Sequence, residues 1–202
     1  MGICAEELRN FVIKPTLQQL GDWSPVAERL LLGTAAQESG LGFHLKYSRS
    51  RGLGIYQITP RTHTNVWDKY LIRSPDLASF VRGLASQHKF LTNPHAELTT
   101  NLSYATAIAW MIYRRSGKTL SVKASLNELA KFWARYFQTR QTGTVDDFIN
   151  HYQQFVAVCN EGEGSGCTTA GTPPPVRTNS IGGNTVTVSS NTVTTNSPNL
   201  AA

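Results

Sequence analysis

The sequence predicts an all-α core with an extended C-terminal tail, on three observations. Apolar residues recur at intervals of three and four along the segments between residues 4 and 156, with helix start and stop signals at their ends. No period-two alternation occurs before residue 180. After Cys159 the composition changes: Phe155 is the last aromatic, and 20 of the final 43 residues are Ser, Thr or Asn. Such a stretch cannot bury enough apolar area to offset the entropy of ordering it. The chain is therefore expected to divide into a folded domain, residues 1–159, and a tail, residues 160–202.

The first helix is expected over residues 4–14, with Leu8, Phe11 and Val12 inward. It ends before Pro15, whose ring and missing N–H disrupt a helix interior. The second opens at Ser24, a capping residue, with Pro25 in the first helical position. Its stripe of Ala27, Leu30, Leu31, Thr34 and Ala35 leads to Glu38; Ser39, Gly40 and Gly42 then break the helix and open space beside it. Residues 43–49 have no period and read as a loop. Pro60–Tyr70 forms a short helix with Trp67 inward.

Ser74-Pro75-Asp76 opens the next helix with a cap, a proline and an acid at the positive end of the dipole. Leu77, Phe80, Val81, Leu84, His88 and Leu91 line one face, and Asn93-Pro94 stops it. His88 reads as a satisfied core histidine rather than a ligand or base. Residues 101–115 are the most apolar segment and form a buried central helix through Tyr104, Ala105, Ile108, Ala109, Met111 and Ile112, closed by Arg114, Arg115 and Gly117. Ser125-Leu126-Asn127-Glu128 is a capping box, followed by inward Leu129, Phe132, Trp133 and Tyr136. Thr144 starts the last helix, with Val145, Phe148, Ile149, Tyr152, Phe155 and Val156 inward.

Glu38 falls on the face of Leu31 and Ala35, at the last turn of a mostly apolar stripe. Burial disfavours its charged form and the negative end of the helix dipole acts in the same direction, so its pKa should rise. A Glu kept protonated near neutral pH is a general acid. Taken alone, Glu38 reads rather as an exposed helix-end carboxylate, or a buried one paired with an arginine, because structural ion pairs also perturb acids. The stretch Gly54-Ile55-Tyr56-Gln57-Ile58 just downstream tips the balance.

Residues 35–62 resemble the catalytic core of the Slt-type lytic transglycosylases, relatives of goose-type lysozyme. That family joins a helix ending in Glu-Ser to a loop and then to Gly-Leu-Met-Gln-Ile-x-Pro-x-Thr. Here the residues are Glu38-Ser39, then Gly54-Ile55-Tyr56-Gln57-Ile58-Thr59-Pro60-Arg61-Thr62. The resemblance implies a lysozyme-like fold with at most a minimal β-element near residues 43–58. It also implies Glu38 as the single acid/base, with Ser39, Gly54, Tyr56, Gln57, Ile58 and Trp133 as substrate-binding residues. The chain departs from the pattern twice. Arg51-Gly52-Leu53 precedes Gly54, where the family has Gly-Ala before its Gly-Leu pair. The family's Ala-Tyr-Asn-Ala-Gly has only a loose echo in Ala130-Lys131-Phe132-Trp133-Ala134-Arg135, without the tyrosine and asparagine.

A glycosidic oxygen is a poor leaving group until protonated, and most glycosidases pair two carboxylates for the task. Asp68 and Asp76, the obvious downstream acids, lie beyond the motif with nothing to mark them. The family manages with one Glu. It protonates the bond after N-acetylmuramic acid and then, as a carboxylate, takes the proton of that sugar's C6 hydroxyl, giving a 1,6-anhydro product. The implied partner is the glycan strand of peptidoglycan, with muramidase-type hydrolysis as second choice. No cofactor and no metal are expected: the five histidines are scattered, and there is no His-Glu-x-x-His helix, cysteine pair or Gly-rich phosphate loop.

The chain carries a formal charge of +6, and residues 1–159 hold 18 Lys and Arg against 11 acids. Anionic wall polymers suit that charge as well as nucleic acid does. No helix carries a one-sided basic stripe, so no nucleic acid is required. No window of eighteen apolar residues predicts a transmembrane segment. Residues 1–7 lack the basic and apolar regions of a secretory signal, and Glu6 stands where a myristoylation site needs Ser or Thr. The protein is thus expected to be made in the cytoplasm and to reach the wall by lysis, a holin or packaging in a particle.

The tail has a stiff Pro173-Pro174-Pro175 spacer, and its Thr185–Val188 and Thr192–Thr194 runs alternate as an added strand would. A wall lyase without a signal and with an extended tail resembles the virion-associated phage enzymes that open the envelope during genome entry. That resemblance implies a phage virion protein acting on the host cell wall and periplasm, docked to a phage structural protein through residues 168–202. The alternative is a structural virion adaptor or tail protein whose lysozyme-like domain has little or no activity. Cys4, Cys159 and Cys167 show no metal spacing; Cys159 and Cys167 could bridge a short loop, but synthesis in the cytoplasm favours thiols.

Overall fold

The computed structural model describes residues 2–46, 51–137 and 143–157. These are mostly helical, with ten α-helices and no strand among the described residues, so the core is all-α. The expected β-element reduces to one antiparallel bridge between Leu53 and Ile58. The domain boundary at 159, Cys159 and Cys167, and the tail with its docking segment 168–202 fall outside the described residues. No described helix is long and apolar enough to cross a membrane.

The N-terminal helix does not stop at Pro15. α1 (Ala5–Leu8) runs through a π-helical turn, Arg9–Ile13, into α2 (Lys14–Gln19). A π turn widens the hydrogen-bond register just ahead of the proline, where its ring and missing N–H would otherwise clash. The extra residue also changes the inward set to Ala5, Leu8, Ile13 and Leu17, all buried. Val12 is only partly buried against the core, and Phe11 is carried off the inner face to 77% exposure.

α3 (Pro25–Ser39) begins where its signals predict: Ser24 Oγ accepts the Ala27 N–H at 3.2 Å, and Gly40 closes it in the left-handed conformation. Nearly every residue from Val26 to Ala36 is buried, because helices cover it on several sides. Gly33 allows the closest approach: a Cβ there would lie 2.3 Å from Phe148 Cζ of α10 (Val145–Tyr152). α10 continues into a π-helical turn, Gln153–Ala157. α9 (Leu126–Tyr136) completes this half, and both α9 and α10 open with the reciprocal Ser125/Glu128 and Thr144/Asp147 capping boxes.

α8 (Leu102–Arg114), capped by Asn101, buries Tyr104 to Ala109 and Met111 to Tyr113. It is where the two halves meet. α2 and α3 pack on it, as do α4 (Pro60–Lys69), α5 (Pro75–Leu84) and α7 (Glu97–Thr100). Asp22 secures the junction by accepting from Trp110 Nε1 at 2.8 Å and pairing with Arg114 at 3.0 Å.

The single helix expected over residues 74–93 is two. α5 ends at Leu84 and α6 (Gln87–Thr92) begins after Ala85-Ser86. The cause is tertiary: the buried Glu97 carboxylate takes the Ser86 N–H at 3.1 Å and its hydroxyl at 2.7 Å, and Asn101 Nδ2 donates to it at 3.1 Å. The break rotates the second half, so His88 is exposed rather than a core histidine, and Leu91 reaches 78% exposure. Ser74 also makes no side-chain cap to α5. The buried histidine is instead His63 of α4, 1% exposed. Its Nε2 lies 2.6 Å from the Tyr104 hydroxyl and its Nδ1 2.9 Å from His95 Nδ1. Burial, assisted by the His95 charge, lowers the His63 pKa to about 4, so the ring is neutral in this chain of hydrogen bonds.

Candidate active site

The backbone reverses immediately after Glu38. Gly40, Leu41 and Gly42 all have positive φ, and the Gly40 N–H returns to Ala36 O at 2.9 Å. The reversal brings residues 51–58 back against the helix end. Ser39 fastens the two together. Its hydroxyl donates to Ile55 O at 2.6 Å, with Ala35 O at 3.1 Å as a second acceptor, and its oxygen accepts the Gly42 N–H at 2.8 Å.

Glu38 keeps part of its surface accessible, yet its carboxyl is closely surrounded. Burial raises its pKa to about 7, and the Trp133 hydrogen bond, from Nε1 to Oε1 at 2.9 Å, opposes that rise by favouring the charged form. The phenol of Tyr113 lies within electrostatic reach of the carboxyl; burial holds it well above its ordinary value, and the Glu38 charge adds to that. Tyr113 is fixed by a 2.6 Å hydrogen bond with Thr34 Oγ1. The arrangement is a carboxyl poised to give up or take a proton near neutral pH, aimed by one N–H.

Trp133 is fully buried, with its ring 5.4 Å from that of Phe148. It therefore presents no face to a saccharide, and the sequence-based expectation is corrected: its part is to hold Glu38. The same correction applies to four others. Ser39 has spent its hydroxyl on the backbone. Tyr56 is buried with its hydroxyl 3.2 Å from Thr106 Oγ1. Ile58 is a core side chain. Gly54 is buried with φ +70°, and a Cβ there would fall 1.6 Å from the Leu98 carbonyl oxygen. These four build the floor behind the site. Of the seven residues the sequence singled out, Glu38 and Gln57 alone keep accessible surface.

Gln57 is itself heavily committed. It adopts φ +46°, and its Nε2 donates to His44 O at 3.1 Å and Gly54 O at 2.9 Å, pinning the loop before it. Two carbonyl acceptors fix which end of the amide is nitrogen. Its Oε1 is buried without a partner and lies against Gly52, where a Cβ would come within 2.8 Å of it. Sequence reasoning missed Gly52 and Gly143; a Cβ on Gly143 would meet the Gln37 amide at 2.3 Å and the Trp133 ring at 3.4 Å. It also missed the Gln37–His151 pair at 2.7 Å. Only the glycines leave a mark in the sequence, and it does not say what they pack against.

The Trp133 hydrogen bond can be tested directly. In Trp133→Phe the donor to the carboxylate is lost, so the Glu38 titration midpoint should climb above 7 by about one pH unit. Carbon-detected NMR of the Glu38 carboxyl would read it. A midpoint that stays or falls would mean the indole does not stabilise the charged form. No family model, curated protein or solved structure matches this chain.

Proposed function

We propose that this chain is a peptidoglycan lytic transglycosylase of lysozyme-like architecture, with Glu38 acting first as acid and then as base. One observation carries the reading: a partly accessible carboxyl with a pKa of about 7 ends a buried helix beside the Gln57 loop. At neutral pH such a group is divided between its two forms, and the reaction needs both. As acid, Glu38 gives its proton to the oxygen linking N-acetylmuramic acid to N-acetylglucosamine, and the C1–O4 bond breaks. As carboxylate, it takes the proton of the muramic C6 hydroxyl while O6 closes onto C1. The proton count returns to its start and no water is consumed.

The positions of the other acids favour this route over hydrolysis. Asp68 is exposed on α4. Asp76 is exposed at a recess of about 540 Å³ that it shares with Gln19, Tyr70 and Arg114 and that Glu38 does not line. An internal nucleophile takes the place of a second carboxylate and its water, with the rate advantage of proximity. The Ser/Thr/Asn-rich composition and Thr-Val alternation after residue 160 favour a phage particle as the setting, with residues 168–202 docking on a structural protein. Mass spectrometry of digested peptidoglycan tests the chemistry. The expected products end in 1,6-anhydro-muramic acid; products heavier by one water would overturn this reading in favour of a muramidase.

A further inference from the structure

The excess positive charge of this chain lies between residues 44 and 140, and its larger share is in the first part of that span. Residues 44–96 hold eight Lys and Arg against two acids, whereas the rest of the chain holds eleven of each. Within that remainder, residues 97–140 hold seven Lys and Arg against two acids, offset by the acid excess of residues 1–43 and 141–202. No single helix there shows a one-sided basic stripe, but α4, α5 and α6 form a lobe whose α4 and α5 pack on α8, while α9 and α10 pack on α3. Arg61, Lys69, Arg73 and Lys89 are exposed on it. The ion pairs among the described residues, Arg9–Glu28 and Arg114–Asp22, both lie outside it.

The same lobe exposes aliphatic side chains. Ile72, beside Arg73, is 70% exposed, and Leu91, two residues from Lys89, is 78% exposed. α6 buries none of its residues. Its Phe90 turns inward, 5.6 Å from the Trp67 ring and 6.0 Å from that of Tyr104, while Leu91 is left in solvent. One exposed leucine is ordinary. Two aliphatics beside exposed cations, in a stretch with eight cations against two acids, call for a partner that is both anionic and apolar.

We propose that the α4–α6 lobe is an interfacial docking surface for an anionic phospholipid bilayer. Lys and Arg meet the headgroup phosphates, while Ile72 and Leu91 enter the boundary with the acyl chains. A hydrophilic polyanion would use the same charges but leave both aliphatics in water. Single-stranded nucleic acid would also call for open aromatic faces; here Trp67, Tyr70 and Phe90 are packed against the core. The surface is separate from Glu38, so the proposal stands whether or not the chain cleaves peptidoglycan.

Cosedimentation of the full-length chain with vesicles tests it. Binding is expected to vesicles containing phosphatidylglycerol and not to pure phosphatidylcholine, and to weaken with added salt. Ile72→Ser with Leu91→Ser should lower partitioning about tenfold. Lys69→Gln with Arg73→Gln should lower it by about the same factor. All four positions are exposed, so circular dichroism and wall clearing should match wild type. Failure to sediment with anionic vesicles would overturn the proposal. It would also be overturned if the aliphatic double variant bound like wild type while soluble polyphosphate displaced both, which would assign the lobe to a hydrophilic polyanion.

Discussion

Glu38→Gln is expected to lower peptidoglycan cleavage about a hundredfold or more, because the amide keeps the shape and cannot deliver a proton. The same substitution should raise stability, in a pH-dependent way. The folded-state pKa of Glu38, about 7, lies above its ordinary 4.5, so folding favours the protonated form. Below pH 4.5 the carboxyl is protonated in both states and no penalty exists. As pH rises through 7 the folded protein must hold a charge it disfavours, at a cost of at most about 3 kcal/mol. Thermal melts of the two proteins should therefore nearly coincide at pH 4 and separate by pH 8, with the Gln variant higher. Full clearing by the variant would remove Glu38 from the mechanism; a wild type that is the more stable at pH 8 would show that the carboxylate is satisfied in the fold.

Gly54→Ala should be among the most damaging substitutions in the chain. The left-handed φ already excludes most side chains, and the new methyl would lie 1.6 Å from a backbone oxygen that cannot rotate away. A loss of about 4 kcal/mol or more is expected, enough to leave little folded protein. Gly83→Ala makes the control: it lies in α5 with nothing within 4 Å of its Cβ position, and should gain about 0.5–1 kcal/mol from helix propensity. Urea denaturation of both variants gives the comparison. A mild loss at Gly54 would mean that the loop can move away from Leu98.

Much of the helical framework is written locally and could be read. Ser24, Asn101, Ser125 and Thr144 each cap the helix they precede, and the apolar stripe of α8 is buried as spaced. The misreadings have non-local causes. Glu97 breaks the 74–93 helix from eleven residues away, and a π turn moves Phe11 off the inner face; neither leaves a periodic signal. The site divides in the same way. Glu38 at the end of an apolar stripe was legible, as was the loop that returns to it. Which neighbours would face a ligand was not. A motif records glycines that must be small and hydroxyls that must bond backbone in the same letters as residues that touch a sugar.

The Ser39 hydroxyl has a mechanical consequence. Because it binds the helix end, the reversal and Ile55 at one oxygen, Glu38 and the Gln57 loop move as a single block. Separating those two walls would cost a buried hydrogen bond. Trp133 belongs to α9, which packs on α3 and α10, and its buried indole donates one hydrogen bond to Glu38. A displacement on that side removes the donor that favours the carboxylate and thereby draws a proton onto Glu38. In the proposed reaction, loss of that donor would favour the protonated Glu38 that acts as acid, and its return would favour the carboxylate of the second half.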